Sequence, residues 1–465
     1  MIMKPTDLPP DFSLDSLIAE ANRCVACGLC LPHCPTYRVT QSEADSPRGR
    51  IALMNGVAGG RIPMNERFAL HIDRCLTCRA CESVCPNHVR FGQLIDGTRA
   101  MMASSSIPLG GSTQASKSWF RRWVEREIIG KPARIDALRP LLRFYQRSGM
   151  QKLLRKSGLF GKTKLILLET QLPRIDKPYS LPGQPNFAGS WQAVYPTTGQ
   201  PRGEVGLFLG CVARLTDTAT LNATIVVLNQ LGYTVHVPPA QTCCGALHQH
   251  SGDKQTGAQL AHRNISAFDG LNLEAIISTA SGCGVQLTEY STLPPSPRSK
   301  ESAPGLEAGN ACSGGTPASK RFSAKVMDIS AFLAVAEGWD EIKLAPLTYK
   351  ISVHEPCSLR NVLRGSASSY ALLARIPGAQ IAPLTGNDQC CGAAGTYFLD
   401  QPEMAKVLLH DKITAISASG ARYLATSNVG CAMHLASALR EAGSEIEVLH
   451  PVTLIARQMN ITSQI

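Results

Sequence analysis

Two stretches of this chain repeat one order of apolar and polar positions. The apolar run VGLFLG, residues 205–210, ends at Cys211. A helical segment follows, TATLNATIVVLNQLG, stopped by Gly232. YTVHVPP comes next, and further on AIISTASGC closes on Cys283. From residue 349 the order starts again with YKISVHEPC, ending at Cys357, then a helical segment, AQIAPL and finally ARYLATSNVGC, ending at Cys431. Short apolar runs alternating with helical segments predict an α/β fold with largely parallel sheets. The N-terminal part has another pattern. Ser46-Pro47 is a good helix start, an N-cap with proline at the first helical position. NERFALHIDRCL is a second helical stretch, so this part is expected to be mainly helical.

The repeat carries cysteine pairs. Cys243-Cys244-Gly245 stands in the first copy and Cys390-Cys391-Gly392 in the second. Equivalent cysteines (Cys211/Cys357, Cys243/Cys390, Cys244/Cys391, Cys283/Cys431) are offset by 146, 147, 147 and 148 positions. So steady an offset predicts internal duplication. Open α/β sheets gather ligands at the carboxyl ends of their strands, and Cys211, Cys283, Cys357 and Cys431 each follow a strand. Four thiols per copy are therefore expected to meet. A 4Fe–4S cluster, a weaker cluster, zinc, or reduced structural thiols all stay open for them. His248, His250, His354 and His434 flank these positions, as ligands, proton carriers or hydrogen-bonded structural groups.

The helical part carries a second pattern. Residues 24–35 read CVACGLCLPHCP and residues 75–86 read CLTCRACESVCP. Both are C-x2-C-x2-C-x3-C-P, the bacterial ferredoxin run for a pair of 4Fe–4S clusters. Three thiols wrap one cube and the fourth, before the proline, serves the other. This assigns Cys24, Cys27, Cys30 and Cys85 to one cluster, and Cys75, Cys78, Cys81 and Cys34 to the second. Zinc knuckles would need only four ligands each in spaced pairs; two matching runs with their prolines argue against them. Arg48 and Arg50 in SPRGR either offset the clusters' negative charge or belong to a solvated helix start.

Of 465 residues, 17 are cysteine. MIMKPTDLPPDFSLDSL has no apolar signal segment and carries early acids, so a cytoplasmic location with reduced thiols is expected. No apolar run reaches the roughly 18–20 residues of a membrane span. The formal charge of +11 is concentrated: residues 117–156 hold twelve Lys/Arg against three acids. Trp119, Phe120, Trp123, Leu141, Leu142, Phe144, Tyr145, Leu153 and Leu154 interleave with Arg121, Arg122, Arg126, Arg139, Arg143 and Arg147. A basic amphipathic stretch of this kind suits a partner or a peripheral membrane surface, with a solvated linker as the plain alternative. No nucleic-acid motif accompanies it. The expected domains are a helical dicluster unit (1–100), a basic helical bridge and linker (101–202), a first cysteine-rich unit (203–290), a disordered insertion (291–325) that holds the seventeenth cysteine, Cys312, and a second cysteine-rich unit (326–465).

Ferredoxin runs followed by two Cys-Cys-Gly units resemble the iron–sulfur subunit of bacterial glycolate oxidase (glycolate dehydrogenase). The resemblance covers nearly the whole chain through DSPRGRI, LGCVAR, VPPAQTCCGALHQHSGD, HEPCSLRN, CCGAAGTYFLDQPEMA and SNVGCAMHL. Looser relatives are heterodisulfide reductase subunits, lactate-utilisation proteins and the iron–sulfur subunit of anaerobic glycerol-3-phosphate dehydrogenase. The resemblance implies a ferredoxin-like dicluster domain and two α/β CCG domains. It also implies partner subunits that carry FAD and oxidise glycolate, and D-lactate more slowly, to the oxo acid. This chain would carry electrons towards a respiratory acceptor such as quinone and perform no substrate chemistry, which fits the lack of a dinucleotide fingerprint. The iron–sulfur subunit of a different hydroxy-acid or glycerol-3-phosphate dehydrogenase, or a heterodisulfide-reductase-like protein, is the alternative. One departure stands out. Where heterodisulfide-reductase-type domains have a last Cys-x-x-Cys pair, this chain has Ala280 and Asn428 in the first position, so each copy keeps four cysteines.

Overall fold

Helices Leu14–Asn22, Pro47–Ala58, Glu66–Asp73 and Phe91–Ser104 pack round two cysteine loops. This is a computed structural model, and it describes residues 14–105, 123–157, 164–180, 190–197, 199–293 and 315–459. The predicted start at Ser46 is present: its Oγ accepts from the Gly49 N–H at 3.0 Å, with Pro47 opening the helix. Met54, Phe68, Ile72, Leu94 and Ile95 fill the core between these helices. One polar knot runs through it. Asp45, fully buried, accepts from Arg50 Nη2 at 3.4 Å and Arg74 Nη1 at 2.8 Å and bonds His71 Nδ1 at 2.9 Å. It thereby joins the segment before helix Pro47–Ala58 to the end of helix Glu66–Asp73.

The repeated half forms two sheets. The first contains β1 (Val194–Tyr195), β2 (Gly203–Phe208), β3 (Tyr233–His236), β4 (Ala275–Ser278) and β5 (Val326–Asp328), in the order β1-β3-β2-β4-β5. The second contains β6 (Lys350–His354), β7 (Gln380–Pro383), β8 (Tyr423–Thr426) and β9 (Glu447–Leu449), in the order β7-β6-β8-β9. Every pairing is parallel except β1 with β3. Without the added edge β1, the two strand orders are the same, which is duplication seen in topology. The copies share a core. Helix Thr218–Gln230 is buried on nearly all sides, its threonines and asparagines included; it packs beside helix Pro451–Gln458 of the other copy.

Three expected boundaries shift. β5 pairs with β4 of the first sheet, so the first copy resumes after the insertion and residues 326–328 do not open the second. Residues 317–324, expected to be disordered, form a helix with Phe322 stacked on Tyr290 in the first copy's core. Tyr195, expected in the linker, is fully buried in β1. Residues 294–314, with Cys312, lie outside the described residues, as do Trp119, Phe120, Arg121 and Arg122.

Asp45→Ala would leave Arg50, itself buried, without its anion. Breaking a buried pair this way costs about 3–5 kcal/mol. The denaturant midpoint of the helical unit is expected to fall accordingly; a midpoint unchanged by the substitution would show the knot to be dispensable.

Candidate functional site: four sets of thiols

The two ferredoxin runs fold alike. Ala26 and Thr77 are left-handed (φ 55° and 54°), and so are Gly28 and Arg79 (φ 86° and 58°). These are matching positions in the two runs. The left-handed turns reverse the chain between successive cysteines, so thiols three apart point into one space. Such conformations are costly for residues other than glycine and persist where the surroundings over-determine them. Arg79 is tied down by ion pairs to Glu82 and to Glu289 of the first copy. Only Gly28 carries a sequence signal for this geometry.

Two neighbouring cavities result. Cys24, Cys27, Cys30 and Cys85 line one, with Arg48 and Cys81 also on its wall. Cys34, Cys75, Cys78 and Cys81 line the other, with Arg50 and Arg79. Sulfur-rich linings walled by apolar and cationic groups fit an anionic, thiolate-held cluster. Arg48 Nη1 donates to the Ala26 carbonyl at 3.0 Å, bracing the first loop. Arg50 Nη1 lies 3.9 Å from Cys34 Sγ and donates to Thr36 Oγ1 at 3.0 Å. Cys27 is exposed, whereas Cys34 and Cys75 are buried. Burial pushes the Cys30 thiol up to about 11, and burial with the nearby Cys357 raises Cys78 well above the usual thiol range.

In the repeated half the cysteines do collect at the carboxyl ends of the strands. Cys211 follows β2, Cys243 and Cys244 lie in the loop after β3, and Cys283 is in the first turn of helix Ser281–Glu289 after β4. Cys211 and Cys243 sulfurs stand 3.3 Å apart. Asn264, fully buried, holds this loop: its Nδ2 donates to the Cys243 carbonyl at 2.9 Å and its Oδ1 accepts from the Thr242 N–H at 2.7 Å. In the second copy Cys357, Cys390, Cys391 and Cys431 take the matching places, with Cys391 and Cys431 sulfurs 3.2 Å apart. The glycine of each Cys-Cys-Gly has a local reason. Gly245 and Gly392 are left-handed (φ 88° and 85°), and each N–H donates to the first cysteine's sulfur at 3.5 Å. A Cβ on Gly392 would meet the Ala405 carbonyl oxygen at 2.8 Å.

The sets are joined. Asn361 Nδ2 donates to the Cys78 carbonyl at 2.8 Å, and the Tyr397 hydroxyl donates to the Arg74 carbonyl at 2.8 Å. Leu76, Cys78, Cys357 and Cys390 share one apolar cluster. The second ferredoxin seat thus abuts the second copy's thiols. Asn428 then bridges the copies: its Nδ2 donates to Cys431 Sγ at 3.4 Å and its Oδ1 accepts from the Gly282 N–H at 3.3 Å. Of the flanking histidines, His250 bonds Asp96 of the helical unit at 2.9 Å, and His434 lies 3.5 Å from Gln171. Burial lowers His434 to about 4, so its ring is neutral at pH 7. His248 is buried, and His354 points among the second copy's sulfurs.

The basic bridge is anchored by one of its own cations. Arg139, buried, donates to Thr218 Oγ1 at 2.8 Å and to the Arg214 carbonyl at 2.7 Å. The exposed side of helix Pro132–Arg147 carries Leu141 and Phe144, 62% and 64% exposed, and Leu153 on the next helix is 69% exposed. No helix among the described residues is long and apolar enough to cross a membrane.

Known proteins match this layout piece by piece. The family described as 4Fe-4S dicluster domain matches residues 20–89, and the Cysteine-rich domain matches residues 205–288 and 351–436. The linker region of the glycolate oxidase iron-sulfur subunit matches residues 116–170. A probable glycolate oxidase iron-sulfur subunit of Bacillus subtilis is 34% identical over 94% of this chain and 93% of its own length. The chain belongs to the glycolate oxidase iron–sulfur subunit family. A glycolate oxidase iron-sulfur subunit of Escherichia coli is 29% identical over 90% of each chain. Lactate utilization protein A of Geobacillus kaustophilus is 26% identical over 53% of this chain and 96% of its own. Iron–sulfur clusters are accordingly the cofactors of this family member, and its dicluster domain is the helical unit.

Raised thiol pKa values fix the sign of a pH effect. Below about 11, Cys30 of iron-free protein holds its proton, and metal must displace it. Each displaced proton weakens loading about tenfold per unit fall in pH. Cluster assembly into iron-free protein is expected to decline steadily as pH is lowered from about 8.5 to 6.5, followed by the growth of cluster absorbance; a flat profile would contradict the assignment of these thiols.

Proposed function

We propose that this chain is the electron-carrying subunit of a complex in which a flavin-bearing partner oxidises glycolate, and D-lactate more slowly. The chain itself performs no substrate chemistry. Cys24, Cys27, Cys30 and Cys85 hold one 4Fe–4S cluster, and Cys34, Cys75, Cys78 and Cys81 the other. When bound, these clusters supply one-electron carriage. The protein's part is to seat them, exclude water from the second and counter their charge with Arg48, Arg50 and Arg79. The observation that carries this reading is the pair of adjacent four-thiol cavities, one with an exposed cysteine at its rim and the other buried against the second copy. The exposed rim suits exchange with a partner, and adjacency suits transfer inward.

The acceptor in this reading is a quinone of the respiratory chain, reached from the cytoplasmic face of the membrane. The solvent side of the bridge supports a peripheral attachment there. Leu141, Phe144 and Leu153 are exposed among Arg147, Lys152 and Arg155, which pairs apolar insertion with attraction to anionic lipid.

Two measurements test these parts separately. Cys27→Ser should lose about four irons of the roughly eight that two cubes hold and most glycolate-dependent dye reduction by the assembled complex; full activity would sink the electron-carrier role. Leu153→Glu, on an exposed position, should keep iron and dye reduction but reduce co-flotation with anionic vesicles several-fold. Equal flotation would remove the bridge as the membrane contact.

A further inference from the structure

The two cysteine-rich copies share their thiols but not what surrounds them. In the first sheet Phe208 of β2 pairs with Ser278 of β4. In the second sheet the matching pair is His354 of β6 with Thr426 of β8. An imidazole has replaced a phenyl ring at the strand end where the thiols gather. His354 Nδ1 lies 2.9 Å from Thr426 Oγ1, which fixes the ring and leaves Nε2 as its other donor atom. One ring nitrogen of His354, Cys391 Sγ and Cys431 Sγ all lie within 4.8 Å of one another, and all three residues are buried.

Two more differences follow the same division. Lys412 occupies the helix position that Asn264 holds in the first copy, judged from Gly392 meeting Ala405 and Gly245 meeting Gly257. Lys412 is 2% exposed and donates to the Gly386 carbonyl at 2.5 Å, and no carboxylate among the described residues forms an ion pair with it. Asn428, in Ala280's place, donates to Cys431 Sγ, as an outer partner of a liganding sulfur does.

We propose that the second copy, through His354, Cys391 and Cys431, binds a single zinc-class divalent cation in a mixed nitrogen–sulfur site that the first copy lacks. Two thiolates on a tetrahedral zinc with bonds of about 2.3 Å stand about 3.8 Å apart, so Cys391 and Cys431, 3.2 Å apart, would part slightly to share one ion; the first copy's Cys211 and Cys243 are as close, at 3.3 Å, and His354 is what sets the second copy apart. Thiolates that serve different irons of a cube are held farther apart by the irons between them. The site stands independently of the electron-carrier reading, since metal content can be read without activity.

The test uses the full chain, purified without oxygen. About one zinc per chain is expected beside the iron, with an X-ray absorption signature of sulfur near 2.3 Å and nitrogen near 2.0–2.1 Å. His354→Phe, which copies Phe208, should abolish the nitrogen signal and lower affinity for a Co2+ probe at least tenfold while iron stays constant. Thr426→Val removes only the imidazole's partner, and should weaken Co2+ binding about 10–100-fold if His354→Phe does not fold. The proposal is overturned if zinc is absent and Cys431→Ser instead removes about four irons. It is equally overturned if zinc keeps an unchanged, all-sulfur shell in His354→Phe.

Discussion

Thiols that must act as anions resist being gathered, and the architecture answers to that constraint. Sixteen of the chain's cysteines fall into four groups, each within a cavity of the helical unit or at the carboxyl ends of a sheet's strands. Bringing them together requires tight backbone turns, and bringing them together charged requires cations. Both are present where they are needed. Left-handed residues curl the ferredoxin loops, left-handed glycines close each Cys-Cys-Gly, and Arg50, Arg79 and Lys412 sit near the sulfurs. The helical core serves the same end. The Asp45 knot holds Arg50, which in turn reaches Cys34. A single buried carboxylate therefore links fold stability to the electrostatics of the second seat.

Duplication gave the chain two copies of one sheet, and the two meet the helical unit through different residues. The second copy touches the second ferredoxin seat through Asn361 and Tyr397. The first meets the helical unit through His250 with Asp96 and through Glu289 with Arg79, which lines the same seat. Asn428 connects the two copies. The thiol sets therefore form a connected series, from an exposed rim at Cys27 through the second copy to the first.

What could be read from sequence was local. The cysteine runs were legible because thiols three positions apart must share a turn, whatever the rest of the chain does. The repeat was legible from its constant offset, and the parallel sheets from strand and helix alternation. Properties set by distant contacts were hidden. Nothing in Thr77 or Arg79 announces a left-handed backbone, since the conformation is imposed from outside. Arg139 reads as one more cation of a basic stretch, yet it lies inside and carries the bridge onto the first copy. The unlike surroundings of the two thiol sets emerge only when strands are in register, because Phe208 and His354 sit in otherwise unremarkable apolar runs. β5 was misplaced for a simpler reason: a low-complexity segment separates it from the sheet it completes.

That last separation has a consequence of its own. The Gly315 N–H donates to the Ser291 carbonyl at 3.1 Å, so the chain leaves and re-enters the first copy at nearly one point. Closing a loop between two neighbouring points costs little more as it grows, about 0.6 kcal/mol for each doubling of length. Residues 294–314 thus join two points that this hydrogen bond already holds together. A peptide tag or a whole folded domain spliced there would leave β4, β5 and the sixteen grouped thiols in place, giving the complex a handle outside the cysteine sets.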